Sequence, residues 1–520
     1  MGNPDKQLIF FKHNEKTDFI RNLTPAGYQR MAGIFLLISA GLLTVCAVPY
    51  TVLCDTVQNY DRLGFAHFWS ENFFVLMLAA VLCTGYLAYL LVLIRLLKKE
   101  FPFAKLKGTA FFAGYLVLAV VSTATAFNTK TAINGSSGRY EGLLTILAYA
   151  GLFFGCAMLT RADFKKRLCD FIVAAGAANA AYGILQGIPA FNGKIPSFYD
   201  YMLFSKTFMA SGFTASPLAL ASLVTVCLGL SVTGFLHDGA KARKWFYAAA
   251  SVVMVAAGIL THSLTAYVGI TAVCVTIFIV ELIRIVKKHA PERGGFFRRP
   301  MGKLVGIIAS FAAVFGLLCA TGLTALTDNR TVWMDSGSRL LITGGFDIDA
   351  GKFSIFPTLW GHAIDVIKEH PLTGAGPDNF KMEDTYNAYL QTLPAGQRSS
   401  VDRDESYYMT TTKATPDRGY SLLLDTAASS GIPAAVLLLA FIAATAVRAV
   451  KVVRKFYAGK DAAWMPTAAV CAALAWFVQS NINISTLTVT PFVMLTAALI
   501  WSLDAEQSTE KNAAAEKPRK

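Results

Sequence analysis

Charge is what this chain has least of. Only 15% of its 520 residues are charged, against roughly 25% in a soluble globular chain, and 54% are hydrophobic, with a mean hydropathy of +0.48. That shortage excludes a string of soluble domains, a coiled coil, a collagen-like chain and a disordered one. Apolar runs of about 20 residues, the length that crosses a bilayer core of about 30 Å, take the place of the missing charge. The nine cysteines lie in or beside these runs without a C-x-x-C pair, so neither a disulfide scaffold nor a cysteine-based metal site is indicated. Leu53 stands before Cys54 where a lipoprotein site needs a small residue. A cleavable signal is missing too, because about 30 polar residues, with Lys6, Lys12, Lys16, Arg21 and Arg30, precede the first run. No repeat of 20 to 50 residues is visible, and the centres of the apolar runs are almost free of charge, which argues against a proton-driven pump.

The apolar runs fall near 31–53, 73–96, 109–127, 141–160, 168–188, 213–236, 245–261, 264–283, 304–324, 432–450, 462–480 and 485–503. The expected fold is therefore all-α: a polytopic membrane protein with about twelve transmembrane helices. A net charge of +14 would suit a nucleic-acid partner, but topology accounts for it. With the N-terminus in the cytoplasm, most of the 47 Lys and Arg gather on the inner side and few in the short outer loops, as the positive-inside rule requires. Both termini are thus expected to be cytoplasmic in a cytoplasmic (inner) membrane, with no nucleic-acid partner. The chain divides into a cytoplasmic N-terminal segment 1–30, spans one to nine over 31–324, an extracytoplasmic helical loop 325–431, spans ten to twelve over 432–503, and a charged, Ala-rich cytoplasmic tail 504–520 that reads as disordered.

The outer loop is far longer than the other connections, and long loops usually carry function. Leu359, Ala363, Val366 and Ile367 fall on one face of a helix that stops at Pro371. Tyr386, Tyr389, Leu390 and Leu393 predict a second helix over 382–393, the stretch 394–417 reads as loop, and helical pattern resumes near Tyr420. Together these predict a helical cap over the outer membrane surface.

Polar residues gather at the outer ends of spans: Arg139 and Glu141 before span four, Lys206 before span six, Thr261, His262 and Ser263 between spans seven and eight, Asn481 and Asn483 before span twelve. The chemistry is therefore expected at one face. Topology does not demand basic residues there, so the outer arginines need a local reason, and a guanidinium can hold two phosphate oxygens at once. Arg139, Arg339 and Arg418 each lie against a helix start and are the candidate anion-binding residues. No grouping of outer His, Cys, Asp and Glu has metal-ligand spacing, so neither metal nor cofactor is expected.

The run Glu369-His-Pro-Leu-Thr-Gly-Ala-Gly-Pro-Asp-Asn-Phe380 is not a phosphate loop, because no strand precedes it and no Lys follows its glycines. It reads as a helix stop with His370 as a capping residue, a tight turn using Gly374 and Gly376 for unusual backbone angles, and a restart near Asp378. This run, in a long outer loop after the ninth span, resembles the O-antigen ligase and polymerase family. So do Gly138-Arg-Tyr-Glu-Gly-Leu-Leu144, Ser338-Arg339 followed by Trp360, and Asp417-Arg-Gly-Tyr-Ser-Leu-Leu-Leu-Asp-Thr-Ala-Ala-Ser-Ser-Gly431. The resemblance implies a glycosyltransferase needing neither metal nor nucleotide. It would move an oligosaccharide or polysaccharide from a polyprenyl diphosphate carrier, such as undecaprenyl diphosphate, to a glycan or glycolipid acceptor at the outer face of the cytoplasmic membrane. Arg139, Arg339 and Arg418 would hold the diphosphate and stabilise the charge that develops on it. Where the family commonly has a His-Asn pair before the tenth span, this chain has Tyr420 and Ser421; Tyr420 takes the family's catalytic position, and the carboxylate Asp417 stands in as base. Met209, Ser216-Pro217-Leu218 and Thr261-His-Ser-Leu264 are further departures. The alternative reading is a solute transporter or lipid-linked glycan flippase, which would need a basic cavity open through the bilayer rather than polar groups at one face.

Overall fold

The computed structural model describes residues 20, 23–58, 65–136, 139–188, 209–214, 216–289, 313, 316, 356–381, 418–457 and 464–515. Every regular element among them is a helix. In chain order these are α1 (Pro25–Gln58), α2 (Phe65–Leu97), α3 (Ala110–Ala124), the short α4 (Thr129–Asn134), α5 (Leu143–Ala157), α6 (Ala162–Gly187), α7 (Pro217–His237), α8 (Lys241–Leu260), α9 (Leu264–His289), α10 (Phe356–Glu369), α11 (Leu422–Ser430), α12 (Ile432–Tyr457), α13 (Trp464–Gln479) and α14 (Thr490–Ala515). Three single-turn 3₁₀ segments, Phe103–Lys105, Lys107–Thr109 and Ser480–Ile482, join some of them.

Nine of the described helices are long and apolar enough to cross a membrane, and Leu143–Ala157 and Thr490–Ser502 are shorter apolar helices. Together they account for every expected span except 304–324, of which all but residues 313 and 316 lie outside the described residues. The protein is an all-α polytopic membrane protein, and the count of twelve remains an expectation. The expected helix over 382–393 and loop 394–417 also lie outside the described residues. One reading is corrected: the stretch from Asp504 does not begin a disordered tail, because α14 continues to Ala515 through Ala, Glu, Gln and Lys, which are good helix formers.

The outward faces show which solvent surrounds the bundle. Ile38, Val45 and Val252 are 63%, 63% and 70% exposed, which suits lipid and not water. Among the described helices only α7 is buried on nearly all sides, at the centre of a ring in which α6, α8, α9 and α13 pack against it. Lipid offers no hydrophobic drive between helices, so close contact depends on small residues. A Cβ on Gly229 of α7 would lie 2.6 Å from the Cα of Ala472 in α13, and Gly85 of α2 meets the backbone of Ala148 in α5. The start of α7 is fixed locally: Ser216 accepts from the Ala219 N–H at 3.2 Å, and Pro217 occupies the first turn, where its missing N–H costs nothing. At the far end of the helix, Glu281 of α9 lies 2.6 Å from His237 Nε2 and 3.5 Å from the Arg284 guanidinium.

The helix expected around Leu359 to Ile367 is present as α10. Leu359, Ala363 and Val366 are buried along one face of α10, which ends at Glu369 before Pro371. That face packs on α11, with Ala363, Val366, Ala375, Phe380 and Ala428 forming a small apolar core. The turn that follows is docked by main-chain hydrogen bonds: Ala375 N–H to Ala428 O (2.8 Å), Gly376 N–H to Ser429 O (2.9 Å), Ile432 N–H to Pro371 O (2.8 Å) and Phe127 N–H to Ala375 O (2.9 Å). Gly374 and Gly376 take φ of +70° and +102°, and a Cβ on Gly374 would strike the Ser429 carbonyl, so glycine is required there. The His370 carbonyl accepts from Gly374 N–H at 2.9 Å, as its expected place at the helix end requires.

Candidate functional site

The docked turn closes one end of a cavity of about 130 Å³ between α3, α5, α11, α12, α13 and α14. Part of its wall is apolar, with Phe112, Leu438 and Met494, whereas its cap end holds Glu141, Asp378, Arg418 and Asp425. Four charged side chains in so small a space need partners, since an unpaired buried charge is expensive.

Arg418 supplies most of them. Its Nη2 lies 2.9 Å from Asp378 Oδ1 and 3.1 Å from Glu141 Oε2, and its Nη1 donates to Ser485 Oγ at 2.9 Å. Ser485 in turn donates to Glu141 Oε2 at 2.8 Å, and Tyr149 OH donates to Glu141 Oε1 at 3.0 Å. Asp378 Oδ2 accepts from the N–H and hydroxyl of Ser136 at 2.6 and 2.9 Å. The side chains of Arg418, Glu141 and Asp378 are 12%, 4% and 3% exposed, so one guanidinium is shared by two carboxylates away from solvent. This network ties the start of α5, the 371–380 turn, the start of α11 and the approach to α14 into one unit.

Asp425 is the remaining charge. It sits in the first turn of α11, its Oδ1 accepts from Gly419 N–H at 2.6 Å, and its own N–H donates to Ser421 O at 2.7 Å. Burial pushes its carboxyl up to about 6, and Arg418, the Gly419 N–H, Arg139 and the Ser421 N–H pull the other way. The floor of the cavity is a neutral polar network: Trp476 Nε1 and Gln479 Nε2 donate to Ser222 Oγ at 3.1 and 2.8 Å, and Asn483 Nδ2 donates to Leu218 O and Gln479 Oε1, both at 3.0 Å.

Of the residues expected from sequence, Arg418 lines the cavity, whereas Arg139 is not part of its lining and bears on it only through the effect of its charge on the Asp425 carboxyl. Asp417 and Arg339 lie outside the described residues. Tyr420 is 5% exposed and packs with Leu218, Phe356 and Leu359 in an apolar cluster rather than on the cavity wall. Its φ of +52° is uncommon for a residue with a bulky side chain, and it turns the chain so that the neighbouring Gly419 N–H meets Asp425. Sequence reasoning noted Glu141 and Asp378 without giving them a role, and left Asp425 unassigned. The signal for Asp425 was there: a lone carboxylate inside Leu422-Leu-Leu-Asp425-Thr-Ala-Ala428, where a charge next to apolar spans points to a function. Among the described residues no three His, Cys, Asp or Glu side chains come together as a metal site.

Two comparisons bear on this site. Residues 249–439 match the model of a family described as O-antigen ligase, a stretch that contains Asp378, Arg418 and Asp425. No curated protein matches the chain.

Proposed function

Proceeding from the O-antigen ligase/polymerase family, to which the match over residues 249–439 supports assigning this multi-pass membrane chain, we propose that it moves a glycan from a polyprenyl diphosphate carrier to a glycan or glycolipid acceptor. The transfer takes place at the outer face of the cytoplasmic membrane and needs no metal or nucleotide. Both termini are cytoplasmic, and the cap over the cavity faces outward. The observation that supports this reading most is the cavity at the cap end, where Arg418 lies among Glu141, Asp378 and Asp425 beside an apolar wall. A lipid-linked diphosphate has the matching chemistry: an apolar tail for the wall and phosphate oxygens for guanidinium groups.

In this mechanism Arg139, Arg339 and Arg418 hold the diphosphate. The leaving group gains negative charge as the sugar departs, and donors already in position stabilise that charge without reorganising. Arg418 must share its guanidinium between the diphosphate and its carboxylate partners Glu141 and Asp378, so these two set how tightly the leaving group is held.

The reading is tested in the host cell. Removing the gene should make lipid-linked glycan accumulate in the outer leaflet, within reach of an added glycosidase that cannot cross the membrane. Accumulation confined to the inner leaflet would contradict the proposal and favour a flippase.

A further inference from the structure

We propose that Asp425 is the general base of the transfer, the group that accepts the proton of the acceptor hydroxyl as that oxygen attacks the anomeric carbon. The inference rests on the glycan-transfer reading above and names a catalytic residue that the sequence comparison did not supply. It starts from how the three carboxylates of the cavity use their oxygens. Glu141 is committed at both, to Tyr149 through Oε1 and to Ser485 and Arg418 through Oε2. Asp378 is likewise committed, to Arg418 through Oδ1 and to Ser136 through Oδ2. Asp425 uses Oδ1 for the Gly419 N–H and is also acted on by the Ser421 N–H, so its partners are main chain; among the described residues no side chain is hydrogen-bonded to or ion-paired with its carboxyl, and Asp425 lines the cavity. A base needs an oxygen open to the proton it takes and a second one that fixes its orientation. Among these three carboxylates, Asp425 alone is oriented by main-chain N–H groups while carrying no side-chain partner that an acceptor hydroxyl would have to displace.

The step balances. The acceptor oxygen forms a bond to the anomeric carbon and gives its proton to Asp425 Oδ2. The bond from the anomeric carbon to the phosphate oxygen breaks, and its electron pair leaves with the diphosphate. Asp425 then returns the proton to water, so no oxidant, reductant or further reactant is required.

The surroundings suit the role. The charged groups acting on Asp425 are Arg418 and Arg139, with Glu141 and Asp378 on Arg418 itself. Of the elements packed against α11, α3 brings Tyr115 to the cavity. On α10 the ionisable groups are His362, Asp365, Lys368 and Glu369, of which Asp365 and Lys368 are exposed and paired with each other. The start of α12 and the 3₁₀ turn Ser480–Ile482 bring no charged residue. A carboxyl raised to about 6 is ionised at neutral pH yet more basic than an ordinary carboxylate, the combination that general base catalysis favours. A diphosphate arriving nearby raises it further, because like charges disfavour ionisation.

The experiment uses the full-length protein in liposomes with a purified polyprenyl-diphosphate oligosaccharide and its acceptor. Turnover is measured from pH 4.5 to 8.5 for the wild type and for Asp425→Asn, Asp417→Asn and Tyr420→Phe, alongside donor binding and thermal unfolding at pH 7.5. The wild-type rate should fall on the acid side with an inflection at or above about 6, since bound diphosphate raises the carboxyl further. Asp425→Asn should lose at least about 100-fold in turnover and show no such inflection. Because the amide keeps an acceptor for the Gly419 N–H, its donor binding should be unchanged, and its thermal midpoint should be no lower than the wild type's, since the amide removes a charge that burial disfavours. Full turnover in Asp425→Asn would overturn the assignment and leave glycan transfer standing. So would a flat wild-type profile from pH 5 to 8, or a loss of the expected size in Asp417→Asn with Asp425→Asn unaffected. A wild type that leaves the donor intact while moving it across the bilayer would overturn transfer and base together.

Discussion

Arg418→Ala removes the guanidinium that pairs with both Glu141 and Asp378, and its cost can be worked from their surroundings. Both carboxylates are almost completely buried, and each was offset by the same guanidinium at 2.9 to 3.1 Å. Breaking a buried pair by deleting one partner costs roughly 3–5 kcal/mol, because the charge left behind remains out of water. Here two charges are left, so the loss should lie at the upper end of that range and be visible as a thermal midpoint several degrees lower. Arg418→Lys should fall in between: one ammonium cannot reproduce a fork that meets Ser485, Asp378 and Glu141 together, and losing one hydrogen bond to a charged group costs about 1.5–3 kcal/mol. Neutralising the partners separates charge from packing. Arg418→Met combined with Glu141→Gln and Asp378→Asn should recover most of the stability lost in Arg418→Ala, since apolar or neutral replacement of a buried ion network is often close to neutral. The assay is thermal unfolding in detergent followed by intrinsic tryptophan fluorescence. An Arg418→Ala midpoint equal to wild type, or a triple variant no better than Arg418→Ala, would refute the reasoning.

Arg139→Lys and Arg339→Lys should each slow transfer roughly tenfold to a hundredfold through loss of the bidentate fork, at about 1.5–3 kcal/mol per charged hydrogen bond, with Arg403→Lys close to wild type in the same turnover assay. Transfer by purified protein should survive EDTA; activity abolished by chelation and restored by Mg²⁺ or Mn²⁺ would reassign Asp402, Asp404 and Glu405 as a metal site. For orientation, a membrane-impermeant thiol reagent applied to intact cells should label a cysteine introduced at Ser400 and miss one introduced at Gly295.

The spans were legible because the bilayer imposes one demand on every segment that crosses it, an apolar run of fixed length with its main chain satisfied internally. The buried face of α10 was legible for a similar reason, since Leu359, Ala363 and Val366 repeat at helical spacing and all three are buried. The turn at Gly374 and Gly376 showed in its composition, and both glycines have positive φ. The charged network was harder to see. Glu141, Asp378 and Arg418 come from three distant segments, and nothing in their local sequence says that one guanidinium will meet two carboxylates. Asp425 was overlooked because its neighbours are apolar and its partner, the Gly419 N–H, is main chain. Tyr420 was singled out by its position in a family pattern, whereas its packing against Leu218, Phe356 and Leu359 depends on tertiary structure that a linear motif does not carry.

Whether the lipid-linked donor is cleaved or merely moved separates glycan transfer from flipping most directly. With purified protein in liposomes, a donor labelled in both its sugar and its polyprenyl diphosphate should yield free polyprenyl diphosphate and labelled acceptor in equal amounts, and only when acceptor is present. Donor recovered intact in the opposite leaflet, with no glycan on the acceptor, would contradict transfer.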